Sequence, residues 1–142
     1  MSILLIEDDA IVARIVRRFL SDHQHDLVHV PSAEDAFVDV YQRQYRLIII
    51  DWMLPGVNGL EFVRHLRAHP LYEGVPIIMF THKDRVDDVE RAMEAGVSDY
   101  MRKPTSGWKP VDVQTLVNKV KRWYRPGPHE AGDPPGEAEA NR

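Results

Sequence analysis

The sequence predicts an α/β fold built on an open, doubly wound parallel sheet, and three observations carry that reading. Five short β-rich runs alternate with five helical patterns. Three of the runs, at 3–6, 46–50 and 75–80, are almost continuously apolar, as strands covered on both faces are. Connections through right-handed crossovers then leave one open sheet with helices on both sides.

Each element has its own signal. "ILLI" at 3–6 is the first strand. From Asp9 to about Ser21 apolar residues recur at helical spacing: Ile11, Ile15 and Phe19 on one line, Val12, Val16 and Leu20 on the next. "DLVHV" at 26–30 is a weaker second strand. Ser32 then opens a helix as N-cap, with Ala36, Phe37 and Val40 on one face. "RLIII" at 46–50 is the third strand. Asn58 caps the following helix, with Glu61 three residues on and Leu60, Val63 and Leu66 inward. "VPIIMF" at 75–80 is the fourth strand. A helix over 84–95 carries Val86, Val89 and Met93 inward, and Gly96 suits its left-handed end. "VSDYM" at 97–101 is the fifth strand. The last helix runs from Pro110 or Val111 to Tyr124, with Val113, Leu116, Val117 and Val120 as its core stripe.

The chain has 142 residues, enough for one domain with one core. Residues 1–124 read as that domain. Residues 125–142, "RPGPHEAGDPPGEAEANR", are rich in Pro, Gly and Glu and read as a disordered tail or linker fragment. The net charge is −4, and the tail holds four acids against two arginines. The remainder is close to neutral, so attraction to nucleic acid or an anionic membrane is not expected. No apolar run approaches the ~20 residues of a membrane span. The start is too short and acidic for a secretory signal. There is no cysteine, hence no disulfide or thiolate chemistry. These features together suit the cytoplasm.

In open α/β sheets a ligand site lies beyond the carboxyl ends of the strands. The first strand is followed there by Glu7, Asp8 and Asp9, the third by Asp51, the fourth by Thr81 and His82, and the fifth by Lys103-Pro104. With the first strand beside the third, Asp8 and Asp51 fall a few ångströms apart. Two carboxylates ~5 Å apart repel by roughly 3 kcal/mol at an effective dielectric near 20. A proton, a lysine or a divalent cation relieves such repulsion. An oxygen-only cluster with open positions suits Mg²⁺, which takes one or two carboxylates and keeps its remaining places for water and phosphate. Carboxylate, cation, lysine and hydroxyl are the components of phosphoryl transfer. Each taken singly has an ordinary reading: an acidic helix start, a strand-end hydroxyl, a turn lysine. Asp51 is harder to dismiss, because an acid ending a buried strand must be satisfied or functional.

The motifs "LLIEDD", "LIIIDWMLPGVNGLEF", "PIIMFT" and "AGVSDYMRKP" resemble the receiver domain of two-component response regulators. The separations of Asp8 from Asp51, of Asp51 from Thr81 and of Asp51 from Lys103 are 43, 30 and 52 residues, in agreement with that family. The resemblance implies a flavodoxin-like (βα)5 fold with strand order 2-1-3-4-5. It also implies Asp51 as phosphoacceptor and a Mg²⁺ site made by Glu7, Asp8, Asp51 and the backbone carbonyl of Met53. Thr81 and Lys103 would hold phosphoryl oxygens, and Tyr100 would be the switch aromatic that moves with Thr81. Helix 4, strand 5 and helix 5 would form the responsive face, and Lys103–Pro104 would be cis. The implied partners are a sensor histidine kinase or phosphotransfer protein and a downstream partner or linked output domain, with no nucleic acid or membrane contact by this chain. The implied assembly is a monomer or a phosphorylation-linked dimer.

Some positions depart from the family pattern. Thr105 stands where an aromatic usually follows Lys-Pro, and Trp108 fits either a packing role or an exposed partner contact. Val89 and Ser98 stand where the winged-helix branch carries an arginine and an acid, which disfavours dimerisation of that type. His82 is either a partial cover for the site or a surface residue. The sets His23/His25/His29 and His65/His69 lack a completing ligand and read as solvated. Two rivals make different demands. A haloacid-dehalogenase-type phosphatase wants a second acid two residues after its nucleophile, where this chain has Met53. A flavin-binding module wants a neutral phosphate loop after the first strand, where this chain has "EDD".

Overall fold

The structure is a computed structural model and describes residues 3–124. Five parallel strands alternate with five α-helices. They are β1 (Ile3–Ile6), α1 (Ala10–Asp22), β2 (Leu27–Val30), α2 (Ala33–Gln42), β3 (Leu47–Ile50), α3 (Gly59–Arg67), β4 (Ile77–Thr81), α4 (Val86–Ala95), β5 (Asp99–Arg102) and α5 (Pro110–Trp123). A 3-10 turn, Pro70–Tyr72, precedes β4. The strand order is β2-β1-β3-β4-β5, the doubly wound arrangement expected. The proposed tail at 125–142 lies outside the described residues. No helix among the described residues is long and apolar enough to cross a membrane.

Alternation along the strands divides the core into two layers. Leu4, Ile6, Ile48, Ile50, Ile77 and Met79 pack under α2, α3 and α4. Ile3, Leu5, Leu47, Ile49, Ile78 and Phe80 pack under α1 and α5. All of these are at most 1% exposed, which is why β1 and β3 contain nothing but large apolar residues and β4 departs from that only at Thr81. Trp108 belongs to the second layer, 5.3 Å from the Phe19 ring and 5.8 Å from that of Phe80, so it is a packing aromatic.

Capping follows the sequence signals closely. Asp9 accepts hydrogen bonds from the Ile11 and Val12 amides at the start of α1. Ser32 accepts from Asp35 at α2, and Asn58 and Glu61 close a reciprocal capping box on α3. Gly96 ends α4 at φ +114°, the left-handed region that glycine occupies without strain.

Three expectations need correction. Helix α4 starts at Val86 rather than at 84, and its buried face is Asp88, Ala92 and Ala95. Val86 and Met93 are 73% and 43% exposed, because the small alanines seat the helix on the sheet and turn that stripe outward. At α1 the repeat is helical as expected, with Val16 and Leu20 buried and Ile11 66% exposed. The Lys103–Pro104 bond is trans, the form an X-Pro bond prefers when nothing forces the other.

Arg67, at the end of α3, was not singled out by any pattern. Its guanidinium donates to the carbonyls of Gly96 (2.9 and 2.7 Å), Tyr72 (2.6 Å) and Val75 (2.6 Å). It thereby ties the turn before β4 to the end of α4. Replacing Arg67 with alanine strands these carbonyls, and urea denaturation should show a loss of about 2–4 kcal/mol; an unchanged midpoint would contradict the assigned role.

Candidate functional site

The sheet register assembles the site. Ile6 pairs with Ile50 across β1 and β3, so Glu7 and Asp51 emerge side by side. The Asp51 amide still donates to the Ile6 carbonyl (3.2 Å), and the Glu7 amide to that of Val30 (3.1 Å). Both carboxylates therefore start from backbone held in the sheet. Thr81 pairs with Arg102, and the Lys103 amide donates to the Thr81 carbonyl at 2.8 Å. Lys103 thus leaves the sheet edge level with Thr81 and reaches back over β4 to Asp51.

Lys103 is the hub. Its Nζ donates to Asp51 Oδ2 at 2.6 Å and lies 2.8 Å from Glu7 Oε1. Glu7, Asp51 and Lys103 are 1%, 5% and 5% exposed, and Thr81 is fully buried. Asp8, by contrast, faces solvent. One carboxylate oxygen each from Glu7, Asp8 and Asp51 fit within 4.8 Å of one another. Among the described residues no other group of three metal-ligating side chains comes so close.

The charges do not balance. Burial pushes the Glu7 carboxyl up to about 7; the Lys103 ammonium and the Asp9 amide oppose the rise, and the Asp51 charge adds to it. Burial acts to lower Lys103, but Asp51 and Glu7 outweigh it and hold the ammonium above its usual range. Glu7 Oε1 is buried, and its one close polar neighbour among the described residues is the Lys103 ammonium, which it shares with Asp51. An oxygen-only set of three carboxylates sharing one ammonium, with one acid open to water, fits a hard divalent cation such as Mg²⁺.

The loop after β3 has little freedom. Met53 donates its amide to Asp51 Oδ1 at 3.1 Å, while its side chain is 60% exposed. The Leu54 and Gly59 amides both donate to the Trp52 carbonyl, at 3.0 and 2.9 Å. A Cβ at Gly59 would collide with the Asp51 carbonyl, so only glycine lets α3 begin this close to the acid. Glu34 at the start of α2 accepts from the Val57 amide at 2.9 Å and pins the far side of the loop.

Other predicted residues take varied positions. Tyr100 is half-buried and donates its hydroxyl to the Lys83 carbonyl at 2.8 Å, two residues beyond Thr81. Burial, with the charges of Asp88, Asp51 and Asp84, pushes its phenol up to about 12. His82 is exposed. The histidine sets are not simply solvated. The His29 ring nitrogen Nε2 lies 2.7 Å from the Glu7 carbonyl, His23 bonds the Phe19 carbonyl, and His69 caps the 3-10 turn. Strand pairing of His29 with Leu5 explains the first of these, and no local spacing signals it.

The Glu7 shift sets a pH dependence for the cation-free protein. A carboxyl whose pKa is raised on folding contributes stability that is fully present below its unfolded value and lost as pH rises through the folded value. Stability should therefore fall between about pH 4.5 and 7. Denaturation in the presence of a chelator should show this slope, and Glu7→Gln should flatten it; a slope that persists in Glu7→Gln would assign it elsewhere.

The likenesses of the chain to known proteins agree with this geometry. A family model described as the response regulator receiver domain matches residues 3–121. The phosphate regulon transcriptional regulatory protein PhoB of Pseudomonas aeruginosa is 32% identical over 130 residues, which cover 92% of this chain and 56% of that protein. Regulatory protein VanRB of Enterococcus faecalis is 36% identical over 102 residues, 72% of this chain and 45% of that one. The chain spans about half the length of these relatives. The BeF3-activated N-terminal receiver domain of RstA from Klebsiella pneumoniae superposes with a TM-score of 0.77 at 28% identity, covering 89% of this chain and 100% of that one. The receiver domain of sensor histidine kinase PA1611 from Pseudomonas aeruginosa has a magnesium ion in its active site cleft. It gives a TM-score of 0.75 at 27% identity, covering 86% and 95% of the two chains. A matched family model over nearly all the described residues, on a sheet that brings Asp51, Thr81 and Lys103 to one edge, establishes that this chain belongs to the response regulator receiver domains.

Proposed function

We propose that Asp51 is the phosphoacceptor of this receiver domain and takes a phosphoryl group from a phosphohistidine on a sensor histidine kinase or phosphotransfer protein. The observation that carries this reading is Lys103 Nζ at 2.6 Å from Asp51 Oδ2, inside a cluster of three carboxylates. In the transfer a carboxylate oxygen of Asp51 forms the new O–P bond as the P–N bond to imidazole breaks, and the imidazole leaves with the bonding pair. Asp51 enters the reaction as a carboxylate held by Lys103 and by the Met53 amide. Lys103 then exchanges its bond to Asp51 for one to a phosphoryl oxygen, without travelling far. Thr81 holds a second phosphoryl oxygen with its hydroxyl.

Glu7, Asp8, Asp51 and the Met53 carbonyl are the residues that would hold Mg²⁺. That cation would offset negative charge on the phosphoryl oxygens. The phosphatase alternative lacks its second acid: Met53 stands there, with an exposed side chain.

Thr81 and Tyr100 would carry the signal outward. The Tyr100 hydroxyl holds the Lys83 carbonyl, and the Lys83 amide lies 3.5 Å from Thr81 Oγ1. A shift of Thr81 toward the phosphoryl group would therefore disturb the Lys83 loop and free Tyr100, altering the α4–β5–α5 face. The output is a change of binding surface toward a downstream protein or a linked domain, in the cytoplasm, as a monomer or a phosphorylation-linked dimer. Residues 125–142 would serve as tail or linker beyond the domain at 1–124.

Acetyl phosphate with Mg²⁺ should give a base-labile phosphoprotein, read by phosphate-affinity electrophoresis. Asp51→Asn should abolish the label and a chelator should prevent it. Label retained in Asp51→Asn would defeat the assignment.

A further inference from the structure

The Trp52 ring, next in sequence to Asp51 and only 6% exposed, is met by two cations from elsewhere in the chain. Lys83 Nζ lies 4.8 Å from the ring centroid, and Arg91 Cζ lies 5.2 Å from it. Lys83 is two residues beyond Thr81; Arg91 is in the middle of α4. Asp88, on the same helix and 8% exposed, pairs with Lys83 at 3.7 Å. Arg91 is exposed and has no ion-pair partner among the described residues, so the indole is the contact the structure gives its guanidinium.

The two ends of α4 are held differently. Its C-terminal end is fixed, since Gly96 ends it in the left-handed conformation and its carbonyl takes two hydrogen bonds from Arg67. Its first turn has no side-chain cap, for Arg85 makes no capping bond. Asp88 ties the N-terminal half to Lys83, and Arg91 ties the middle of the helix to Trp52.

We propose that Arg91, together with Lys83, clamps the Trp52 ring and so positions the Asp51 loop from α4, by a route that meets the Thr81–Tyr100 contacts only at Lys83. The proposal rests on the reading of Asp51 as phosphoacceptor. Trp52 is the pivot of the loop: its carbonyl accepts from both Leu54 and Gly59, and the next amide, of Met53, donates to Asp51 Oδ1. Fixing the ring fixes the backbone that presents that amide. Arg91 is a positioning residue, since it acts on Asp51 only through Trp52. The coupling is reciprocal, so whatever moves α4 alters the reactivity of Asp51, and phosphorylation at Asp51 alters the grip on α4.

The test compares the intact chain with Arg91→Gln, which removes the cation at similar length, and Arg91→Lys, which restores one. Two readouts are taken: the amide resonance of Met53 in cation-free ¹⁵N-labelled protein, and the rate of phosphorylation by acetyl phosphate with Mg²⁺. Arg91→Gln should move the Met53 resonance and change the rate roughly two- to fivefold, the range of an exposed cation–π contact, and Arg91→Lys should reverse both. The melting temperature should fall by no more than a few degrees, since Arg91 is on the surface. A Met53 resonance identical in the Gln and Lys variants overturns the clamp, and so does a rate that Arg91→Gln leaves unchanged. If no variant and no wild-type protein takes label on Asp51, the phosphoacceptor reading falls, and the Met53 resonance alone decides the clamp.

Discussion

One ammonium group holds the carboxyl edge of this sheet together. Lys103 Nζ stands 2.6 Å from Asp51 and 2.8 Å from Glu7, with all three side chains buried. Without it, two acids would face each other in a desolvated pocket, at a cost of several kcal/mol at the low effective dielectric there. With it, three acids still outnumber one base, and the pocket keeps a demand for positive charge. Burial of Glu7 expresses that demand as affinity for a proton, and a hard divalent cation would answer the same demand.

The backbone supplies the stiffness this arrangement needs. Strands β1 and β3 are sealed on both faces by large aliphatic residues, so the carbonyl of Ile6 and the amide of Asp51 are held in one register. Gly59 lets α3 start against the Asp51 carbonyl, and Glu34 anchors the other side of the loop. On the other side of the site the side chains of Thr81 and Tyr100 meet the Lys83 backbone, at its amide and its carbonyl. Helix α4 closes that side with small residues, Ala92 and Ala95, and one buried acid, Asp88.

Much of this was legible in the sequence for a physical reason. Strands buried on both faces must be continuously apolar, so Leu47–Ile50 announces itself, and an acid directly after it is conspicuous. Caps such as Asp9, Ser32 and Asn58 act within three residues and are equally readable. What failed to show depends on contacts between distant segments. Arg67 looks like any basic residue closing a helix, yet its bonds reach to Gly96, across the turn and β4. Val86 and Met93 share a helical stripe with Val89, but the alanines beside them decide which face meets the sheet. His29 meets Glu7 only because β1 and β2 pair in one register.

The central claim is that Lys103, Thr81 and the three acids form one pocket built around a phosphoryl group on Asp51. A crystal structure grown with Mg²⁺ and beryllofluoride tests it most directly. The account predicts beryllofluoride on one carboxylate oxygen of Asp51, touched by Lys103 Nζ and Thr81 Oγ1, with Mg²⁺ held among Glu7, Asp8, Asp51 and the Met53 carbonyl. Beryllofluoride absent from Asp51 in a fully liganded crystal, or bound there while Lys103 remains on the carboxylates and Thr81 makes no contact, would contradict it.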